Sequence, residues 1–220
     1  MPGDGADGAG DLDMLWEVVR EGDRASIEAL LIGDDDHPPL GVSIDVRDEK
    51  GMTPLHWLAV EGHASVLQWL VDEVGAELDL GDARYGQTAL HFAAAKDHGR
   101  VAQQLLDLGA DILRTDGAGW TPLHTAARAG SLDVANVLLT NLPPGGADAT
   151  GPGGQTALHR AAFWGHTELV TSLLQGGATR NKPDAKGRLA ADVVCDGGDR
   201  RDQLPKLLAL LRSPPPSYAA

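Results

Sequence analysis

Aromatic residues are scarce in this 220-residue chain, at 4%, and there is a single cysteine, Cys195. With so few rings, the core must come from alanine and leucine, which favours closely packed helices. One thiol cannot form an intrachain disulfide, so an oxidising compartment gains the fold nothing. No apolar run approaches the ~20 residues of a membrane span. The first twenty residues hold no cation before Arg20 and no apolar segment of the kind a secretory or transit peptide needs. The cytoplasm is the expected location, with the nucleus a further possibility. Basic residues are also few: the formal charge is −14, whereas a nucleic-acid partner calls for a face rich in Lys and Arg. Residues 1–50 carry fourteen acids against four bases (net −10), and the remainder eighteen against fourteen (net −4). The acidity is therefore concentrated at the N-terminal end, and later regions are free to be locally basic.

What the sequence does have is repetition. GMTPLHWLAVEGH from Gly51, GQTALHFAAAKDH from Gly86, GWTPLHTAARAGS from Gly119 and GQTALHRAAFWGH from Gly154 align directly. Their threonines, Thr53, Thr88, Thr121 and Thr156, are spaced by 35, 33 and 35 residues. A decayed copy, GRLAADVVCDGG, begins at Gly187. Each full copy runs on into a second apolar segment, such as Val66-Leu67-Trp69-Leu70 or Val134-Val137-Leu138-Leu139. Thr is a good helix N-cap, and Pro54 and Pro122 follow it at a position where a missing N–H costs nothing. Leu and paired Ala form the inner face of a short helix, which Gly62, Gly130 and Gly165 then end. Asp97 stands in that place in the second copy. One unit has a one-sided apolar face; stacking buries these faces in a continuous core.

These segments resemble the ankyrin repeat, whose T-P-L-H-x-A pattern and period they carry from about Leu12 to Arg212. The resemblance implies an all-α repeat solenoid of helix-turn-helix units joined by β-hairpin-like loops. The expected layout is an N-terminal cap over 12–46, repeats over 47–81, 82–114, 115–149 and 150–182, and a C-terminal cap over 183–212. Residues 1–11 and 213–220 are expected to be disordered tails, and the expanded 141–154 loop, rich in Gly and Pro, to be mobile.

Catalytic and metal chemistry find little support. Seven of the eight histidines sit at template positions, so they fall in successive layers rather than around one point, as tetrahedral zinc requires. The resemblance implies that the motif histidines are structural hydrogen-bonders joining neighbouring loops. Asp34-Asp35-Asp36-His37 lacks calcium-loop spacing and reads as a solvated acidic loop. Cys195 reads as buried and inert. Neither G-K-[ST] nor G-x-S-x-G occurs. No enzyme activity and no cofactor are expected.

In the family, the hairpin tips and exposed faces of the first helices line a concave surface. The matching candidates for protein binding are Lys50, Met52, Tyr85, Gln87, Lys96, Trp120, Arg128, Phe163, Trp164 and Arg188. The repeat does not demand a large side chain at 120, 163 or 164, and buried aromatic and Arg anchors often contribute ~2 kcal/mol or more to an interface. The bland reading of Trp164 is that it folds over the 141–154 loop and fills space. Trp16 and Trp69 read as core, and Trp57 as half framework. Lys50, Arg84, Lys96, Arg128, Arg160, Lys186 and Arg188 follow the same predicted groove, with Glu49 and Glu61 at its N-terminal end. The expected partner is a protein segment both acidic and apolar, met by a monomer. Nothing outside the repeats is large enough for an effector domain, so a scaffold or adaptor is the leading expectation. An assembly chaperone of a larger complex, such as the proteasome regulatory particle, is an alternative. Likeness to the repeats attached to acyl-CoA-binding proteins suggests another, the regulatory part of an enzyme or lipid-binding partner. The family resemblance also puts Asn181 at a turn where its asparagines can be hydroxylated.

Overall fold

A computed structural model describes residues 8–33, 39–194 and 201–212 of the chain. The acidic run at 34–37, Cys195 and the tail at 213–220 lie outside the described residues. The helices come in pairs. The first pair is α1 (Gly8–Glu21) and α2 (Arg24–Ile32), followed by α3 (Pro54–Glu61) and α4 (Ala64–Asp72). Next come α5 (Ala89–Lys96) with α6 (Gly99–Asp107), α7 (Pro122–Ala129) with α8 (Leu132–Asn141), and α9 (Ala157–Trp164) with α10 (Thr167–Gln175). A 3₁₀ turn (Ala190–Asp192) and α11 (Leu204–Arg212) complete the order. The described residues contain no strand, so this is an all-α solenoid. Helix α1 starts at Gly8, inside the stretch expected to be tail.

The first helices stack on one another, α1 on α3, α3 on α5, α5 on α7 and α7 on α9. The second helices form a parallel row, α4 on α6, α6 on α8 and α8 on α10. Alanine sets the spacing of the first row: Ala59, Ala93, Ala94, Ala126, Ala127, Ala161 and Ala162 are fully buried. Leucine fills the space between rows, with Leu58, Leu90, Leu105, Leu138, Leu158 and Leu173 sealed from solvent. Burial of such a side chain contributes about 1.5–3 kcal/mol, and the units share it. Leu15, Trp16, Val19 and Ile27 close one end of this core, and Leu207 and Leu211 the other.

Each full repeat begins at a buried Thr whose backbone N–H donates to the Nδ1 of the motif histidine three residues on. The distances are 2.9 Å for Thr53 to His56, 3.2 Å for Thr88 to His91, 3.3 Å for Thr121 to His124 and 3.2 Å for Thr156 to His159. Because Nδ1 accepts, the proton sits on Nε2. That nitrogen donates forward, from His56 to the Leu80 carbonyl at the end of its own repeat (2.9 Å), and from His91, His124 and His159 across the junction to the carbonyls of Trp120 (2.9 Å), Gln155 (3.0 Å) and Arg188 (3.0 Å). The histidine between the two helices reaches the other way. His63, His98 and His166 meet the carbonyls of Arg20, Val60 and Arg128 in the preceding unit, at 2.6, 2.9 and 3.1 Å.

That backward reach needs room. A Cβ on Gly22 would fall 2.4 Å from the His63 ring, one on Gly62 3.0 Å from His98, and one on Gly130 2.5 Å from His166. The junction between the second and third repeats breaks the pattern at both positions together. Asp97 replaces the glycine and holds φ +59°, the one positive φ outside glycine among the described residues. Ser131 replaces the histidine. Asp97 Oδ1 instead accepts from the Val134 N–H at 3.0 Å, capping α8 from the unit before.

The connecting loops are short hairpin-like turns, each closed by a backbone bond from the template glycine to the leading residue's carbonyl and by a second one across the loop: Asp48 N to Met52 O, Asp82 N to Gln87 O, Asp116 N to Trp120 O, Gly151 N to Gln155 O and Asp184 N to Arg188 O, all 2.8–2.9 Å. The leading aspartate accepts further N–H groups inside its own loop, as Asp116 does from Ala118 and Trp120, each at 2.9 Å. Successive loops are joined by Ala83 N to Gly51 O, Gly117 N to Tyr85 O and Ala185 N to Gly153 O. The equivalent donor between the third and fourth repeats is Pro152, which has no N–H. The 141–154 insertion that contains it follows a defined path through 3₁₀ turns at Gly146–Asp148 and Pro152–Gly154, with Ala147 buried. Asp148 anchors it, accepting from Thr179 N at 2.8 Å, while Lys182 Nζ donates to the Asp148 carbonyl at 2.7 Å.

Candidate functional site

The stacked core and the histidine stitching account for most of the repeated positions within the chain, leaving the flank made of loop tips and first helices. On that flank Lys50, Arg84, Lys96, Arg128 and Lys186 are exposed, and Glu49 and Glu61 stand exposed toward its start. Tyr85 is the most exposed large apolar side chain described, at 61%. Gln87 is half-buried, with its N–H held by Asp82 at 2.7 Å.

Two of the residues expected to make contacts are placed differently from the rest. Met52 is 7% exposed and belongs to the core. The Asp48 carboxylate fixes its N–H at 2.9 Å, and the thioether packs with the apolar side chains of the core. Arg188 is half-buried and braced on Asp184, its Nε and Nη2 donating to Oδ2 at 2.9 and 2.8 Å. It completes a loop rather than offering a free cation. Burial would raise the Asp184 carboxyl, but N–H donors from Arg188 and Lys186, with the guanidinium beside it, bring it down to about 2.

Trp57 is framework: it is 8% exposed, and Nε1–H donates to Asp48 Oδ2 at 2.9 Å. The Arg20 guanidinium and the Lys50 ammonium lie 4.4 and 4.8 Å from its rings. Trp16 and Trp69 are core as expected.

The densest group of unassigned side chains lies at the third and fourth repeats. Trp120 is half-buried, with the Arg160 guanidinium 3.9 Å from its ring and His124 5.3 Å away. Gly151 takes the place of the loop aspartate because a Cβ there would lie 2.5 Å from Trp120 Cε3. Arg160 Nε is buried without a hydrogen-bond partner. Burial, followed by repulsion from Arg128, lowers the Arg160 pKa to about 10, with Asp116 opposing. Phe163 and Trp164 are both half-buried and meet edge to face at 5.4 Å. Arg160 and Phe163 are three residues apart on α9 and share one face. Arg128 holds in α7 the position that Phe163 holds in α9. Sequence reasoning placed Arg160 among the groove charges without making it a contact residue; its signal is the residue directly after the motif histidine, which in this unit is charged instead of apolar or small.

The motif histidines have both ring nitrogens engaged, so they are not waiting ligands. Burial lowers the pKa of His56 and His91, and that of His124 to about 4, keeping these imidazoles neutral. Among the described residues, no three or more His, Cys, Asp or Glu side chains are grouped to hold a metal, and no helix is long and apolar enough to cross a membrane.

Two rows of short helices, repeated with the loops projecting along one flank, define a repeat-built interaction module. Residues 15–116 and 112–186 match the family described as ankyrin repeats (3 copies). The chain belongs to the ankyrin repeat family and is a protein–protein interaction module. It is 32% identical over 162 residues to the transient receptor potential cation channel subfamily A member 1 homolog of Caenorhabditis elegans, covering 74% of this chain and 13% of that protein. It is 34% identical over 130 residues to mouse (Mus musculus) diacylglycerol kinase iota, covering 57% and 12%. It is 32% identical over 213 residues to the E3 ubiquitin-protein ligase XBAT32 of Arabidopsis thaliana, covering 84% and 40%. The chain thus spans less than half the length of each of these relatives, and the family is generally non-catalytic.

Proposed function

We propose that this chain is a non-catalytic scaffold or adaptor that holds an acidic, partly apolar segment of a partner protein along its loop-and-first-helix flank. The observation supporting this is the set of side chains there that stacking does not require. Exposed Lys50, Arg84, Lys96, Arg128 and Lys186 form a basic line on a chain of net −14, interrupted by Tyr85, Trp120, Phe163 and Trp164. Such a field steers acidic partners, and its effect weakens with salt. A photo-crosslinking amino acid at Tyr85 or Lys96 should capture the partner in cells, whereas one at Gln68, exposed on α4, should not. Capture from Gln68 alone would place the partner on the wrong row of helices and end this reading.

A second reading draws on the relatives. Diacylglycerol kinase iota and the ligase XBAT32 are named for activities, and this chain matches 12% and 40% of them. The repeats would then select a partner for an enzyme to act upon. In either role the cytoplasm or nucleus is the proposed location, which a fluorescent fusion tests directly.

A further inference from the structure

We infer that Arg160, laid against Trp120, and the exposed Arg128 on the neighbouring helix α7 form a clamp for one carboxylate side chain of the bound segment, with the segment's next apolar side chain resting on Phe163 and Trp164. This rests on the flank reading above and names its anchor.

The observations come from independent features. Arg160 is laid against the Trp120 ring, its guanidinium carbon 3.9 Å from the ring centroid, which restrains where the cation sits. Its Nε–H is buried with no acceptor, a donor that ordinarily costs free energy unless something satisfies it. Arg128 is exposed close enough to repel it, and no carboxylate among the described residues ion-pairs with either. Keeping two guanidiniums together without a counterion is unfavourable, so the place is complementary to an anion. Asp116 lies near enough to favour the charged form of Arg160, while its own oxygens hold the Ala118 and Trp120 N–H groups. Two positive charges and one negative leave a surplus of about one, which a carboxylate matches and a phosphate dianion overshoots. The planar fork of Arg also suits a carboxylate bidentately. The apolar neighbour follows from the edge-to-face pair at 163 and 164, one helical turn along α9 from Arg160.

The test uses the full chain, ¹⁵N-labelled, and three capped pentapeptides, Ac-Gly-Glu-Phe-Phe-Gly-NH₂, its Gln counterpart and its phosphoserine counterpart. Binding is read from arginine Nε–Hε signals. The Glu peptide should move the Arg160 and Arg128 signals, and the Gln peptide should bind at least about tenfold more weakly, as expected for loss of a charge-assisted pair. Arg128→Gln, at an exposed position, should weaken the Glu peptide by a similar factor without lowering the thermal midpoint. Arg160→Lys keeps the charge but removes the planar fork and the Nε donor; it too should weaken binding. Equal binding of the Glu and Gln peptides, or no effect of Arg128→Gln, refutes the clamp. Tighter binding of the phosphoserine peptide also refutes it, because the occupant would then be a phosphate. If the Tyr85 crosslinker still captures a partner while the Glu peptide leaves both arginines unmoved, the clamp is wrong and the flank reading stands.

Discussion

The paired departure at Asp97 and Ser131 makes a quantitative prediction. Elsewhere glycine leaves space for a histidine that reaches back; here the carboxylate reaches forward instead. Asp97→Gly removes the bond to Val134 N, worth about 1 kcal/mol for an N-cap, but also relieves a left-handed conformation costing about 1–2 kcal/mol. The two nearly cancel, so the single variant should stay within about 1 kcal/mol of the parent. Ser131→His alone puts an imidazole where the neighbouring junctions show a Cβ would stand 2.4–3.0 Å from the ring. Overpacking of that kind costs about 1–3 kcal/mol. Combined, the changes recreate the other junctions, with the introduced imidazole positioned to donate to the Ala95 carbonyl as His98 donates to Val60 and His166 to Arg128. The double variant should recover the parent's stability, giving a coupling of about 2 kcal/mol in a double-mutant cycle. Urea unfolding followed by far-ultraviolet circular dichroism at pH 7.5 measures all four proteins. Additive effects, with the double variant as unstable as Ser131→His, would show that the glycine–histidine pairing is coincidental and refute the reasoning.

Acid should act through the buried imidazoles. His124 falls from an ordinary 6.5 to about 4 in the folded chain, and His56 and His91 are shifted the same way. The unfolded chain binds these protons first, so stability is complete above pH ~6.5 and declines as pH falls toward the folded value, by up to about 1.4 kcal/mol per unit for each group. His124→Gln, which keeps an acceptor and a donor but does not titrate, should flatten this decline in urea midpoints between pH 6.5 and 5. An unchanged slope would mean other groups dominate. Ala126→Leu forces a branched side chain between stacked first helices and should lower stability by about 1–3 kcal/mol in the same assay. Gly151→Val should displace Trp120 and show as a red shift in tryptophan emission; an unaltered spectrum contradicts the packing. In amide exchange, Ala83, Gly117 and Ala185 should be protected relative to the exposed Glu49, which stands at the same position in the first loop.

The repeat was legible because every unit must solve the same stacking problem with the same residues. Thr53, Thr88, Thr121 and Thr156 recur because an N-cap must begin each first helix, and Ala93 or Ala126 because no larger residue fits between stacked first helices. The flank was only partly legible. Met52 and Gln87 occupy equivalent loop positions with the same N–H bond to the loop aspartate, yet one is core and the other half-buried, because what packs against each side chain differs from unit to unit. Arg188 resembles a surface cation until Asp184, four residues earlier, is seen folded back against it. The 141–154 segment has the composition of a free loop, but its path depends on Asp148 meeting Thr179 and Lys182 thirty residues later, contacts no local pattern announces. Arg160 was visible as a charge and invisible as a partner of Trp120, because that contact crosses between units.

The two-way histidine bonds set what can be exchanged between such proteins. Each boundary is written partly in the unit before it, through a glycine and a free carbonyl, and partly in the unit after, through an imidazole. A transplanted single unit therefore arrives with half of each seam missing, and at Asp97–Ser131 with a mismatched half. The natural cassette runs from the middle of one unit to the middle of the next, so recombination that respects it can lengthen the stack while leaving the binding flank in register.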